Sequence, residues 1–593
     1  MLNTPATIGR STVRNRIVFT AHLTGFAEDG LPSARHVAYY AERARTAGLV
    51  ITEEHAVHPD DHPYEHMIRG HDPAVLPGYR ALTEAVHAHG SLVLAQLNHN
   101  GPQASSLYSR APVRGPVALP DPLFREVPVA LTEADLDELV AAYADVARRC
   151  VDGGFDGVEL QCSQASLLRC LLALPGVADR TGLLLRVLEA VRAELGDRIL
   201  GVRLGHEDGV DVLAVARLLE SRVDYLSTTV GVATSSLYLV EPSMHTPPGY
   251  AADVAAAIRA AVGVPVVAVG RFTAPEQGET VLREGRADLV GFARGLIAGP
   301  RFERACVGCN QECVGRVGLN LPLGCAVNPR AGHELQPPQA RTARRRVTVV
   351  GGGPAGLRAA ATAAARGHAV TLVERERLGG QLALAAEAPG RAELGHVVRD
   401  LIAECRAAGV SFLDGEPDLD AEVVVLATGA RPTRRWAAAS DVRDVLDGSV
   451  SPSGSVLVVD ELGFHHATSV AELLARRGCA VEIVTPGMVV GQDLGLTLDR
   501  EGFRRRAHAL GIRCTTDTLV TDVGDAVTLV HHPTGRTEVR RYDAVVGALP
   551  PEPADELWET LRGRPGVYRI GDCLAPRRMD AAIRDGERVA VNL

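Results

Sequence analysis

Short apolar runs alternate with amphipathic helical stretches from the N-terminus to about residue 300. Eight runs read as strands: IVFTA at 17–21, LVITE at 49–53, LVLAQ at 92–96, GVEL at 157–160, ILGVRL at 199–204, DYLST at 224–228, VPVVAVG at 264–270 and ADLVGFA at 287–293. Between them lie stretches such as TEADLDELVAAYADVARRCVDGG, with apolar residues at helical spacing. The strands are too uniformly apolar to keep one face in water, which predicts a parallel sheet covered on both sides. Eight such units over this length predict a closed (β/α)8 TIM barrel, with an open doubly wound sheet as the alternative.

The polar residues gather where the apolar runs end: Thr20 and His22, Thr52 to His55, Gln96 with His99, Gln161 to Gln164, and Arg203. In a barrel these ends form the functional face. The last two strands end in Gly270-Arg271 and in Gly291-Phe292-Ala293-Arg294. Glycine lets backbone N–H groups approach an anion and arginine adds charge-assisted hydrogen bonds, so this pair of turns reads as a phosphate site. If the phosphate belongs to a flavin, the Gln96 carboxamide suits the pyrimidine edge, Arg203 suits the charge that reduction leaves near N1, and Thr20 suits N5 and O4.

A different pattern opens the second half. RRRVTVVGGGPAGLRAAATAAARGHAVTLVERE reads strand, glycine turn, helix, strand. Gly351 serves the tight turn, Gly353 the approach to a pyrophosphate and Gly356 the packing of helix on strand, with Pro354 and Ala355 opening the helix. Glu374, followed by Arg375, ends the second strand where a carboxylate can hold ribose hydroxyls. Gly380 and Gln381, Thr428 and Gly429, and Gly571 with Asp572 lie in later segments expected beside the same dinucleotide. A second strand–turn–helix–strand unit follows at 455–485. Its turn, Asp460-Glu461-Leu462-Gly463-Phe464-His465, lacks the glycine triplet, and its acids would repel a pyrophosphate.

Composition narrows the picture. A net charge of -10 spread along the chain argues against nucleic acid as a main partner. No apolar run could span a bilayer and no signal-peptide core is visible, so no membrane association and a cytoplasmic location are expected. Four of the 11 cysteines cluster as Cys306-x2-Cys309-x3-Cys313-x11-Cys325. In a reducing compartment such a cluster points to a metal. Zinc is an alternative. One loop carrying three thiolates with a fourth closing later suits a cubane iron–sulfur cluster better than paired zinc knuckles.

Taken in order, RNRIVFTAH, AYYAERARTAGLVITE, LAQLNHNG, GFDGVEL, ADLVGFARGLIAGP, CVGCNQEC…C, VVGGGPAGL, LATGARP and IGDCLAPR resemble the iron–sulfur flavoenzymes of the old yellow enzyme superfamily, such as 2,4-dienoyl-CoA reductase and trimethylamine dehydrogenase. The stretches FTAHLTGFAEDGLP, ITEEHAVHP and GVELQCS look closest to the branch associated with the mycofactocin system. The resemblance implies FMN in a barrel at 1–300 and a [4Fe-4S] cluster on the four cysteines in a loop and linker at 301–342. It implies FAD, or only its ADP part, in a Rossmann-like domain at 343–450 with a return segment at 551–593, interrupted by a second nucleotide fold at 451–550. It further implies NAD(P)H-driven reduction of an activated C=C bond, with electrons passing from FAD through the cluster to FMN. Amine dehydrogenation or demethylation is the oxidative alternative, and a catalytically altered electron-transfer protein a third. A small-molecule substrate is expected, with a redox partner and a homo-oligomer left open.

The chain departs from that family around its proton donor. In GVELQCSQASLLRCLL, Gln161 and Gln164 stand where histidines are usual and Ser166 stands at the tyrosine position. Ala233 stands where a reductase histidine would fall, and His22 precedes Leu23 rather than a flavin-linking cysteine, so FMN is expected to be non-covalent. ALPGVADRTGLLLR lacks most of a family loop, which predicts a more open barrel mouth. The catalytic candidates are Tyr238, His22 and Ser166, with His55 and His245 as further loop residues able to move a proton.

Overall fold

The computed structural model describes residues 1–174, 180–207, 209–336 and 342–593. It divides into two compact units. The first comprises Met1–Pro242, Thr246–Gly308 and Glu312–Pro337; the second comprises Ser243–His245, Cys309–Gln311 and Pro338–Leu593.

In the first unit all eight apolar runs become strands: β1 (Ile17–Phe19), β2 (Leu49–Ala56), β3 (Leu92–Asn98), β4 (Gly157–Cys162), β5 (Ile199–His206), β6 (Tyr225–Val230), β7 (Val266–Val269) and β8 (Leu289–Gly291). Each pairs in parallel with its sequence neighbours, and β8 returns to β1, so the barrel is closed. Closure removes the doubly wound alternative. The interior is packed by Val18, Leu49, Ile51, Leu94, Ile199, Tyr225, Val267 and Leu289. A hairpin, Ala6–Ile8 with Ser11–Val13, adds Ile8 and Val13 to this inner core beneath the strands' first residues. The other end of the barrel is left to polar side chains.

One irregularity matters for the site. β2 and β3 run in register from Leu49 to Ile51, slip, and resume with Glu54 opposite Gln96 and Ala56 opposite Asn98. A bulge of this kind adds a residue to one strand and changes which side chains face inward. Glu53 therefore points outward to helix α1 (Ala34–Ala44). There its carboxylate accepts from the Thr24 backbone N–H and hydroxyl, both at 2.7 Å, and pairs with His36. Glu54 points inward.

The second unit holds two five-stranded parallel sheets. In the first, β9 (Arg346–Val350), β10 (Ala369–Val373), β11 (Ser411–Leu413), β12 (Val423–Leu426) and a strand returning near the C-terminus, Val567–Arg569, lie in the order β11-β10-β9-β12 and then the returning strand. Helix α2 (Pro354–Ala365) links β9 to β10 and packs against α3 (Met579–Val591). The second sheet is built from residues 439–548, inserted between β12 and the returning strand. Its central strand, Ser455–Asp460, is followed by a helix at His465–Arg476. No described helix is long and apolar enough to cross a membrane.

Candidate functional site

Polar side chains line the upper, C-terminal end of the barrel interior. The Nε2 of Gln96 donates to Glu159 Oε1 at 2.7 Å, and the Tyr225 hydroxyl donates to Glu159 Oε2 at 2.8 Å. Arg203 is 7% exposed; one of its terminal nitrogens reaches the Ala21 carbonyl at 3.3 Å, while its buried Nε has no partner among the described residues. Thr20 leans over Gly291, where a Cβ would come within 2.5 Å of its methyl group. Two non-glycine residues at strand ends adopt left-handed backbone, Arg271 at φ 56 and Gln164 at φ 50. Strained conformations of this kind gather at binding sites. Gly270 precedes Arg271, and Ala293 precedes the turn opened by Arg294, whose guanidinium donates to the Pro242 carbonyl at 2.6 Å. Thr52, at the bulge, donates to the Leu94 carbonyl at 3.3 Å and shares a hydrogen bond with His55.

The catalytic candidates are held as follows. His22 has both ring nitrogens engaged, with the Thr20 carbonyl and the Tyr39 hydroxyl at 2.8 Å each, and burial lowers its pKa to about 4. Ser166 donates its hydroxyl to the Gln161 carbonyl at 2.5 Å. His55 lies between Thr52 and Tyr79, and burial lowers its pKa to about 3. Tyr238 is half-buried on a single helical turn after β6. His245 belongs to the second unit, where burial first and then Arg506 lower its pKa to about 4. Part of the shortened loop, residues 175–179, lies outside the described residues.

Acids are the groups that sequence reasoning passed over. Burial raises the Glu54 pKa to about 8 and also raises those of Asp61, Glu159 and Glu241. Their signal in the sequence was slight: consecutive acids closing an apolar strand, and one acid inside GVEL. A trio of His58, Asp60 and His99 brings possible metal-ligating atoms within 4.8 Å of one another, but Arg114 Nε already holds the Asp60 carboxylate at 2.7 Å, making it an ion-pair network.

In the second unit the glycine turn has the shape a dinucleotide needs. Gly351 has φ 105. A Cβ on Gly356 would strike the Gly351 carbonyl at 1.9 Å, while a Cβ on Gly353 would meet nothing within 4 Å. Close packing at one glycine and open space at the other fit a pyrophosphate at the N-terminus of α2, which Pro354 and Ala355 begin. Glu374 accepts from the Gly352 N–H at 2.7 Å, and Arg375 pairs with Glu416 at 3.2 Å. Gly380 and Gly429 have positive φ, Gln381 donates to the Ala430 carbonyl at 3.2 Å, and Thr428 donates to the Ala554 carbonyl at 2.6 Å. Gly571 donates its N–H to the Asp585 carboxylate at 3.2 Å, and Asp572 accepts from the Arg577 N–H at 3.1 Å. The second turn differs. Asp460 accepts from the Gly463 and Gly491 N–H groups at 2.8 and 3.1 Å, taking up donors that a phosphate would use.

Cys306, Cys313 and Cys325 act on one another electrostatically in the first unit. Burial raises Cys313 to about 12 and Cys325 to about 11, so a metal would have to displace their protons. The Gly308 N–H points at Cys306 Sγ at 3.5 Å, and the Val327 and Asn328 N–H groups point at Cys325. N–H···S contacts of this kind tune thiolates that hold a cluster. Cys309 belongs to the three-residue segment assigned to the second unit.

The NADH:flavin oxidoreductase / NADH oxidase family matches residues 1–307, and the pyridine nucleotide-disulphide oxidoreductase family matches residues 345–437. The chain belongs to the NADH:flavin oxidoreductase / NADH oxidase family. It is 32% identical to an NADH oxidase of Thermoanaerobacter brockii, covering 98% of each chain. It is 30% identical to an N,N-dimethylglycine/sarcosine dehydrogenase of Chromohalobacter salexigens, covering 99% of this chain and 98% of the relative. The solved structure of a 2-naphthoyl-CoA reductase superposes with a TM-score of 0.93 at 26% identity, covering 100% of this chain and 99% of that one. The protein is thus a flavin oxidoreductase of the old yellow enzyme superfamily. The Arg203 Nε without a partner among the described residues, the open Gly353 and the clustered thiols fit FMN, FAD and a [4Fe-4S] cluster in turn.

Proposed function

We propose that this flavin oxidoreductase reduces an activated C=C bond of a small molecule, with NAD(P)H as the reductant. Bound FMN supplies two-electron chemistry and the cluster a one-electron relay. The chain's own residues set the site around them: Thr20, Gln96 and Arg203 orient the flavin, while Gly270, Arg271, Ala293 and Arg294 hold its phosphate. The observation that carries the direction is the proton inventory of the barrel mouth. Glu54 and Glu241 are pushed toward the protonated form by burial, while His22 and His55 are kept neutral. Reduction consumes a proton at the substrate; dehydrogenation releases one. Anaerobic titration tests the reading: NADH or NADPH should bleach the flavin, and an enone such as cyclohexenone should restore its colour. Bleaching by dithionite alone would remove the nicotinamide.

A second reading, oxidation of an amine with electrons leaving to a redox partner, is favoured by Asp460, which fills the second nucleotide turn. Flavin reduction by a methylated amine would establish it.

A further inference from the structure

We propose that Glu54 is the catalytic acid that protonates the substrate, in place of the tyrosine the chain lacks; this rests on the reduction reading above. The β2 bulge carries the argument. Without the register slip after Ile51, the strand's alternation would send Glu53 inward and Glu54 out. With it, Glu54 stands opposite Gln96, the side chain placed to meet the flavin, and on the same face of the sheet. Asn98, the next inward residue of β3, donates to Glu54 Oε2 at 2.7 Å and to the Ala165 carbonyl at 2.9 Å. Glu54 is 7% exposed, yet its Oε1 is buried with no hydrogen-bond partner among the described residues.

Burial and the acids Asp61 and Glu53 favour a proton there, and outweigh the Asn98 and Asn100 side chains, which favour the carboxylate. Asp61 and Tyr64 of the loop after β2, Glu53 of the same strand and Tyr143 of the helix Glu133–Asp152 all act on Glu54, and none of these four is a cation. Tyr64 also feels Glu241 from the loop after β6, so acids face this corner from both sides. Asp61 has its own donors in the Asn100 N–H at 2.9 Å and the Asn100 side chain at 3.2 Å. It therefore offers Glu54 repulsion rather than a proton. A carboxylic acid kept neutral in this way can donate at neutral pH, as a tyrosine would. Two of the other candidates lack that freedom: the Ser166 hydroxyl is given to Gln161, and both nitrogens of His22 are taken.

The balance is that of a conjugate reduction. A reduced flavin held by Thr20, Gln96 and Arg203 would supply hydride for a C–H bond at the β-carbon, with the C=C π pair shifting toward the carbonyl. The Glu54 proton then forms the second C–H bond at the α-carbon. The alkene would thus gain two electrons, as hydride, from the flavin and one proton from Glu54, whose carboxylate is reprotonated from water.

The test uses the flavin-loaded enzyme, cyclohexenone and cinnamaldehyde as probes, and the variants Glu54→Gln and Glu54→Asp. In the wild type, infrared spectroscopy should show a protonated-carboxyl band at neutral pH that fades as pH rises through about 8; the band should be missing from Glu54→Gln. Reoxidation of the reduced flavin by the enone should slow over the same pH range, and in heavy water the product should carry deuterium at the α-carbon. Glu54→Gln should slow reoxidation roughly 100-fold or more and flatten its pH dependence. Flavin reduction should be unaffected, and Glu54→Asp should restore part of the rate. An unchanged reoxidation rate in Glu54→Gln, or the same carboxyl band in both proteins, would overturn the role of Glu54. A wild-type enzyme that bleaches normally but is reoxidised by neither probe would instead overturn the reduction reading.

Discussion

The Gln96 amide is locked by Glu159: its NH2 group is committed to the Glu159 carboxylate at 2.7 Å, leaving its carbonyl oxygen for a ligand's N–H. Glu159→Gln can both donate and accept, so it no longer dictates which way Gln96 faces. This variant should hold its flavin about tenfold more weakly with a near-normal melting temperature. Glu159→Ala leaves the Gln96 and Tyr225 donors unpaired in a buried layer and should lose about 1–3 kcal/mol for each. Flavin release followed by fluorescence, beside thermal unfolding, separates the two effects.

Glu54 also makes a prediction about stability alone. Its carboxyl holds a proton more tightly folded, at about 8, than the ordinary value of 4.5 expected in the unfolded chain. The folded state therefore binds more protons between those values, and wild-type stability declines as pH rises across that window. Glu54→Gln lacks this slope. Its unfolding free energy should match the wild type near pH 4.5 and exceed it at pH 8 by on the order of a few kcal/mol, with the melting temperature following. Equal melting temperatures at both pH values would contradict it.

The glycine turn of the second unit separates folding from binding. Gly353 has ordinary backbone angles, φ -74 and ψ -179, and open space around it. Gly353→Ala should fold normally and lose FAD. Gly356→Ala drives a methyl group into the Gly351 carbonyl and should lower the melting temperature as well. FAD content per chain and calorimetry distinguish them, and the barrel's FMN should survive both changes.

Serine in place of Cys306, Cys313 or Cys325 should leave purified protein with reduced iron and sulfide but with FMN retained. Reconstitution with iron and sulfide should release protons, because Cys313 and Cys325 start as thiols well above neutrality. Iron and sulfide equal to the wild type in Cys313→Ser would remove that residue from the ligand set.

The barrel was legible because its strands are contiguous apolar runs, and a run such as ILGVRL carries its own evidence. The inserted second sheet was visible for the same reason. The dinucleotide turn was legible because glycine, proline and acid occur there at fixed offsets. The direction of Glu54 was not. LVITEEHA gives no sign of where the extra residue of a bulge falls, and the slip becomes visible only against β3. Glu159 escaped notice because an acid on the inner face of a strand looks, in one dimension, like an acid in water. Ser166 was read from its position in a motif, whereas its hydrogen bond to Gln161 depends on how the loop folds back.

Barrel closure sets the timetable of synthesis. β1 leaves the ribosome early, but its partner β8 lies at Leu289–Gly291, almost half a chain later. Until then the first strand keeps one edge unpaired, and the nascent protein carries an unfinished cylinder while the remaining strands are made. The second unit, whose bulk begins after that point, is translated once the seam can be sealed.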